Sequence, residues 1–124
     1  MRLLLDTHIV LWWRQDSRRI GSAARQAIGT ADQVFVSAAS AWEVAIKTAI
    51  GHLRLKDAFA DLVERSGFEE LPIAFRHTER LKSLPSHHTD PFDRMLIAQA
   101  QTEDLVLVTH DRRVESYEVP VLWI

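Results

Sequence analysis

The chain has 124 residues, 47% of them hydrophobic, with 17 acidic and 15 basic side chains and a net charge of −2. That is enough for one domain with its own core, residues 1–124, and too little positive charge for the whole molecule to be drawn to nucleic acid. The absence of cysteine excludes disulfides and thiolate zinc sites and suits a reducing cytoplasm. The sequence reads as having neither a secretory leader nor an apolar run near the roughly 18 residues of a membrane helix.

Leu3-Leu4-Leu5 opens the pattern: three leucines without alternation, stopping at Asp6. A continuous apolar run fits a strand covered on both faces. The pattern then turns helical, predicting a first helix over Ile9–Gln15 and a polar connection over Asp16–Ile20. Ser22 is placed to cap a second helix carrying Ala23, Ala24, Ala27 and Ile28. Val34-Phe35-Val36 reads as the second strand, ending at Ser37. A long helix follows over Ser40–Ile50, with Ser40 as N-cap, Glu43 as its capping-box partner and Gly51 as its stop. Asp57 opens the next helix, with Phe59, Leu62 and Val63 inward, and Phe68–Ile73 holds a third strand. Phe75–Leu84 reads as a short helix, and residues 85–89 as a loop containing His87 and His88. Asp90-Pro91 is a strong helix start, the aspartate as cap and the proline as first helical residue. Leu105–Thr109 is the fourth strand, His110–Arg113 a turn into a short helix, and Val119–Ile124 the last strand. The alternation predicts an α/β fold, a three-layer α/β/α sandwich on a mainly parallel sheet.

In open sheets of this kind, ligands bind at the carboxyl ends of the strands. Asp6 follows the first strand and Asp111 the fourth. Glu43 lies near the start of the helix leaving the second strand, and Asp93 in the first turn of the helix feeding the fourth. All four are therefore expected at one edge. Unpaired carboxylates in one cleft repel and raise each other's pKa values. A hard divalent cation, Mg2+ or Mn2+, takes oxygen ligands, pairs with phosphate oxygens and removes that cost. The chemistry this supports is metal-assisted phosphodiester hydrolysis. Taken singly, each acid has a plainer reading. Asp6 reads as a helix cap, Glu43 as a capping-box partner, Asp93 as an acid favoured by a helix dipole, and Asp111 as a turn residue. Asp90 reads as a structural cap. The joint placement of four acids at matching element ends carries the functional reading.

These residues also carry a resemblance. The chain resembles the PIN domain (PilT N-terminus) ribonucleases, and within them the VapC-type toxins of toxin–antitoxin pairs. The matching pieces are Leu4-Leu5-Asp6-Thr7-His8, Ser37-Ala38-Ala39-Ser40-Ala41-Trp42-Glu43, the run from Asp90 to Ala100, Leu107-Val108-Thr109-His110-Asp111 and the ending Val119-Pro120-Val121-Leu122-Trp123. The resemblance implies a magnesium- or manganese-dependent endoribonuclease with catalytic acids at Asp6, Glu43, Asp93 and Asp111. It implies metal ligation by Asp6, Asp93 and Asp111, with Asp6 and Asp93 the firmest, and hydrogen-bonding support from Thr109. The implied partners are an RNA substrate, a cognate antitoxin and a second copy of the chain in a homodimer, with no membrane.

The six histidines lack the paired spacing of a zinc site. Surface or hydrogen-bonding roles are expected for them, with His8 and His110 flanking site acids. Arg94, Arg112 and Arg113 adjoin the acids and, with His87 and His88, predict a basic rim that binds RNA phosphates. Trp12 and Trp13 are neighbours pointing about 100° apart on a helix. The first helix thus has more apolar surface than one sheet face needs, which reads either as core packing or as a partner surface. Two other function classes compete. A receiver-like, magnesium-binding signalling domain needs paired acids after its first strand and a lysine after its last central one. Here Asp6 stands alone and no lysine follows Lys82. A non-catalytic interaction domain of the same fold leaves four acids without a purpose.

Overall fold

The chain alternates strands and helices over residues 1–124, all described in the computed structural model. In order these are β1 (Arg2–Leu5), α1 (Thr7–Arg14), α2 (Ser22–Thr30), β2 (Gln33–Ser37), α3 (Ala38–Ala49), α4 (Phe59–Arg65), β3 (Glu69–Leu71), α5 (Phe75–Leu81), α6 (Pro91–Glu103), β4 (Val106–Thr109), a 3-10 turn over Arg112–Ser116, and β5 (Val121–Trp123). The strands form one sheet in the order β3-β2-β1-β4-β5, with every neighbouring pair parallel.

The three leucines of β1 explain why that strand is central. All are fully buried, Leu3 and Leu5 in one hydrophobic cluster and Leu4 in the other. Each contributes about 1.5–3 kcal/mol by burial, and the pleat sends successive side chains to opposite faces. One cluster joins the sheet to α1, α2 and α4 through Ile9, Val10, Ile28, Leu62 and Val63. The other joins it to α6 through Leu96, Ile97 and Ala100. Helices on both faces of a parallel sheet make the three-layer α/β/α sandwich.

Several ends differ from the sequence reading. α1 begins at Thr7 rather than Ile9 because Asp6 caps it, accepting from the His8 amide. α3 begins at Ala38 because Ser37, at the end of β2, accepts from the Ala39 amide at 2.9 Å. Ser37 rather than Ser40 is therefore the cap, and Glu43 falls in the second turn, too far along to complete a capping box. Ser40 is instead buried and accepts a 2.8 Å hydrogen bond from Thr7 Oγ1, which ties α3 to α1. α2 is capped by the Gly21 backbone, without a side-chain bond from Ser22. α4 begins past Asp57, whose carboxylate faces Arg14 and Arg65. Gly51 and Gly67, after α3 and α4, take φ of 79° and 76°, where a side chain would strain the backbone.

The two tryptophans of α1 are part of the core. Both are half-buried and pack against the first cluster, with the Trp13 ring 5.7 Å from that of Phe68. A row of open apolar residues lies along α3 and its C-cap instead: Trp42, Ile46 and Ile50 are 59%, 40% and 59% exposed. Their spacing of four places them on one face of the helix.

Candidate active site

The order β3-β2-β1-β4-β5 makes the chain change direction across the sheet between β1 and β4. A crevice at the carboxyl ends opens at such a switch point. Here it is a cleft of about 330 Å³ with no hydrophobic residue in its lining. Asp6, Glu43, Asp93 and Asp111 all line it, as does Asp90. Residues separated by up to about a hundred positions in sequence are thus brought to one place.

Each acid is fixed by the element that carries it. The Asp6 amide continues the ladder of β1 onto β4, donating to Val108 O at 2.9 Å. Its side chain is almost fully buried and accepts a 2.7 Å hydrogen bond from Thr109 Oγ1 at Oδ2. Thr109 Oγ1 in turn accepts from the Asp111 amide at 3.0 Å. One hydroxyl therefore sets the spacing between the end of β1 and the turn after β4. Glu43 is buried on α3 and pairs with Lys47 one turn on, at 2.8 Å. Asp90 caps α6, accepting from the amides of Phe92 and Asp93. That cap leaves the Asp93 carboxylate free to face the cleft. Asp111 caps the 3-10 turn through the Arg113 amide and is gripped by the Arg113 guanidinium.

His88 is a member of the site that its place in a histidine pair did not reveal. It is 2% exposed, not on the rim. Its Nδ1 accepts from the Asp90 amide, so the neutral ring carries its hydrogen on Nε2. That nitrogen hydrogen-bonds Asp111 Oδ2 at 3.3 Å and stands 2.9 Å from Asp93 Oδ2. His88 thereby holds two acids from distant elements side by side. Its loop is locked in turn: Tyr117 Oη accepts from the His88 amide and donates to Pro85 O. Arg94, expected on the basic rim, belongs to this lock. Its guanidinium donates to Pro85 O at 2.7 Å and to Tyr117 Oη, and it does not line the cleft. Arg112 and Arg113 do line it, together with Lys47, His8 and His110.

The electrostatics separate the acids. The carboxyl of Asp93 is pushed up to about 8, first by burial and then by the charges of Asp6, Asp90, Glu43 and Asp111. The guanidinium of Arg113 holds Asp111 down at about 2, with His88 assisting. Lys47 is raised, chiefly by its hydrogen bond to Glu43. Asp93 is thus the acid whose repulsion the protein leaves unrelieved. A hard divalent cation fits this donor set, since the lining offers carboxylate oxygens and no thiolate. Ligand atoms of Asp93, Asp111 and His88 lie within 4.8 Å of one another, but the hydrogen on Nε2 makes His88 a donor to the acids rather than a ligand.

The comparisons with known proteins agree with this geometry. The profile of the PIN domain matches residues 3–120. Ribonuclease VapC22 of Mycobacterium tuberculosis is 34% identical over 125 residues, covering 95% of this chain and 93% of that protein. Among solved structures, VapBC2 from Rickettsia felis, bound to a DNA fragment from its promoter, superposes with a TM-score of 0.72 at 12% identity, over 98% of each chain. A toxin–antitoxin complex from Klebsiella pneumoniae gives 0.67 at 22% identity, over 97% of this chain and 95% of that one. With the profile spanning nearly the whole chain and a relative this close along its length, the chain belongs to the PIN domain family, in its VapC branch.

Proposed function

We propose that this protein is a metal-dependent endoribonuclease, the toxin of a toxin–antitoxin pair, using Mg2+ or Mn2+ to hydrolyse RNA phosphodiester bonds. The observation that carries the reading is the convergence of Asp6, Glu43, Asp93 and Asp111 on one cleft without an apolar lining residue. Asp6, Asp93 and Asp111 would hold the cation. When bound, it supplies a Lewis acid that neutralises phosphoryl charge and makes water more acidic. The chain supplies the rest. Thr109 and His88 fix the carboxylates. Glu43, held by Lys47, is placed to orient or accept a proton from attacking water. Arg112 and Arg113 bind flanking phosphates. Ribonuclease VapC22 is named for RNA cleavage, which supports RNA as the substrate.

The partners follow the same reading. The Klebsiella pneumoniae neighbour is a toxin–antitoxin complex, which supports an antitoxin as the protein partner. An apolar groove of about 350 Å³ between α3 and α4, lined by Ala41, Phe59, Val63 and Phe68 among others, and the open row Trp42, Ile46 and Ile50 offer faces for it and for a second copy of the chain. No helix is long and apolar enough to cross a membrane.

The test is cleavage of total cellular RNA with and without manganese, beside Asp6→Asn and Asp93→Asn. Discrete manganese-dependent fragments, lost in both variants with the fold retained, are expected. Unchanged cleavage in both would refute the mechanism.

A further inference from the structure

Part of the cleft lining is aromatic. His8 and His110 both line it and are exposed, with half of the His8 side chain open. Their rings meet edge to face, 5.8 Å apart at 87°. The Trp12 ring lies 4.8 Å from His110 and 6.1 Å from His8, and is itself packed on the core. Trp12 takes up the packing, so sealing the core does not require two further open rings. Neither imidazole is held by a hydrogen bond to another side chain: Asp6 Oδ1 stands 3.9 Å from His8 Nδ1, beyond reach. The two rings are thus positioned by ring contacts with each other and with Trp12, and their nitrogens are not engaged by another side chain. They sit two residues after Asp6 and one before Asp111. Two cations are near: the Arg19 guanidinium lies 5.0 Å over Trp12, and Arg112 lines the same cleft with its guanidinium 4.2 Å over Trp123.

Exposed aromatic rings in a carboxylate-lined cleft, with guanidinium groups nearby, are a setting in which an unpaired base can stack. We infer that His8 and His110, backed by Trp12, form a stacking subsite for the base of the nucleotide next to the scissile phosphate. The inference rests on the ribonuclease reading and assigns these three side chains to holding a base within it. A base inside a duplex has its faces covered and its edges engaged, and must leave the stack to be bound. Arg19 and Arg112 then lie near the sugar–phosphate backbone.

The experiment compares two probes on Asp93→Asn protein, which is expected to hold RNA uncleaved. They are a short fluorescently labelled oligoadenylate and an abasic oligomer of equal length with the same phosphates and no bases. Anisotropy titrations should show oligoadenylate binding more tightly. Adding His8→Ala and His110→Ala together should weaken oligoadenylate roughly 5- to 150-fold, the worth of a base stacked on an aromatic ring, and leave the abasic oligomer unchanged. His8→Phe with His110→Phe should restore the difference, since a phenyl ring keeps the face and loses the nitrogens. Equal binding of both probes, or an equal loss for both in the alanine variant, would overturn the inference while leaving RNA binding intact. Failure of both probes to bind at all would remove the ribonuclease reading and the inference with it.

Discussion

Asp93→Asn should stabilise the metal-free protein at alkaline pH. In the folded chain the Asp93 carboxyl is raised from 3.8 to about 8. Below about pH 4 it is protonated in both states and contributes no difference. Between there and about pH 8 the unfolded chain releases a proton that the folded chain keeps, so stability falls as pH rises through that window. A difference of about four units sets a ceiling near 6 kcal/mol. The side chain is 19% exposed, and the neighbouring acids relax apart, so about half that is expected to survive screening. For a domain of this size ~3 kcal/mol corresponds to a Tm gain of about 10 °C. Asparagine cannot ionise, and its carbonyl can still accept from His88 Nε2. Thermal melts in chelator, from about pH 4 to 9, should show the two proteins converging at the acidic end and separating progressively above it. Millimolar manganese should then raise the Tm of the unsubstituted protein near pH 8 and leave Asp93→Asn nearly unmoved. Parallel curves across the whole range would refute the claim that Asp93 bears the repulsion of the cleft.

Three further outcomes follow from the geometry. Thr109→Val removes the donor to Asp6 Oδ2 inside the protein; a loss of about 1.5–3 kcal/mol in denaturant unfolding is expected, with weaker manganese binding by calorimetry. Ser37→Ala removes the cap of α3 and should cost about 1 kcal/mol in the same unfolding experiment, whereas Ser22→Ala should cost little, because Ser22 makes no capping bond. Arg112→Ala should weaken RNA binding about equally across sequences and reduce the slope of affinity against salt by about one, measured by anisotropy at several ionic strengths.

The fold was legible because burial on both faces leaves a plain mark: Leu3-Leu4-Leu5 and Leu105–Val108 have no alternation to misread. The meeting of the four acids was legible for a topological reason, since parallel strands deliver their carboxyl ends, and the helices around them, to one edge. Choices between equivalent groups were not. Ser37 and Ser40 are both acceptable caps, and the decision fell to where β2 ends. Nothing in His87-His88 says which ring is buried between Asp93 and Asp111. Arg94 stands beside a site acid in sequence, yet α6 delivers it to the carbonyl of Pro85, because neighbours on a helix point in different directions. The surplus of apolar surface was real but on another helix: Trp12 and Trp13 reach the core from adjacent angles, while Trp42, Ile46 and Ile50 align outward.

The bond from Thr109 to Asp6 spans 103 residues. A chain in which β1, β2 and β3 have paired but β4 has not docked holds Asp6 and Glu43 with neither Asp111 nor the hydroxyl that fixes Asp6. Closing so long a loop carries an entropic cost that only a well-formed central sheet repays. The four acids line one cleft only in the chain whose sheet is complete across its centre.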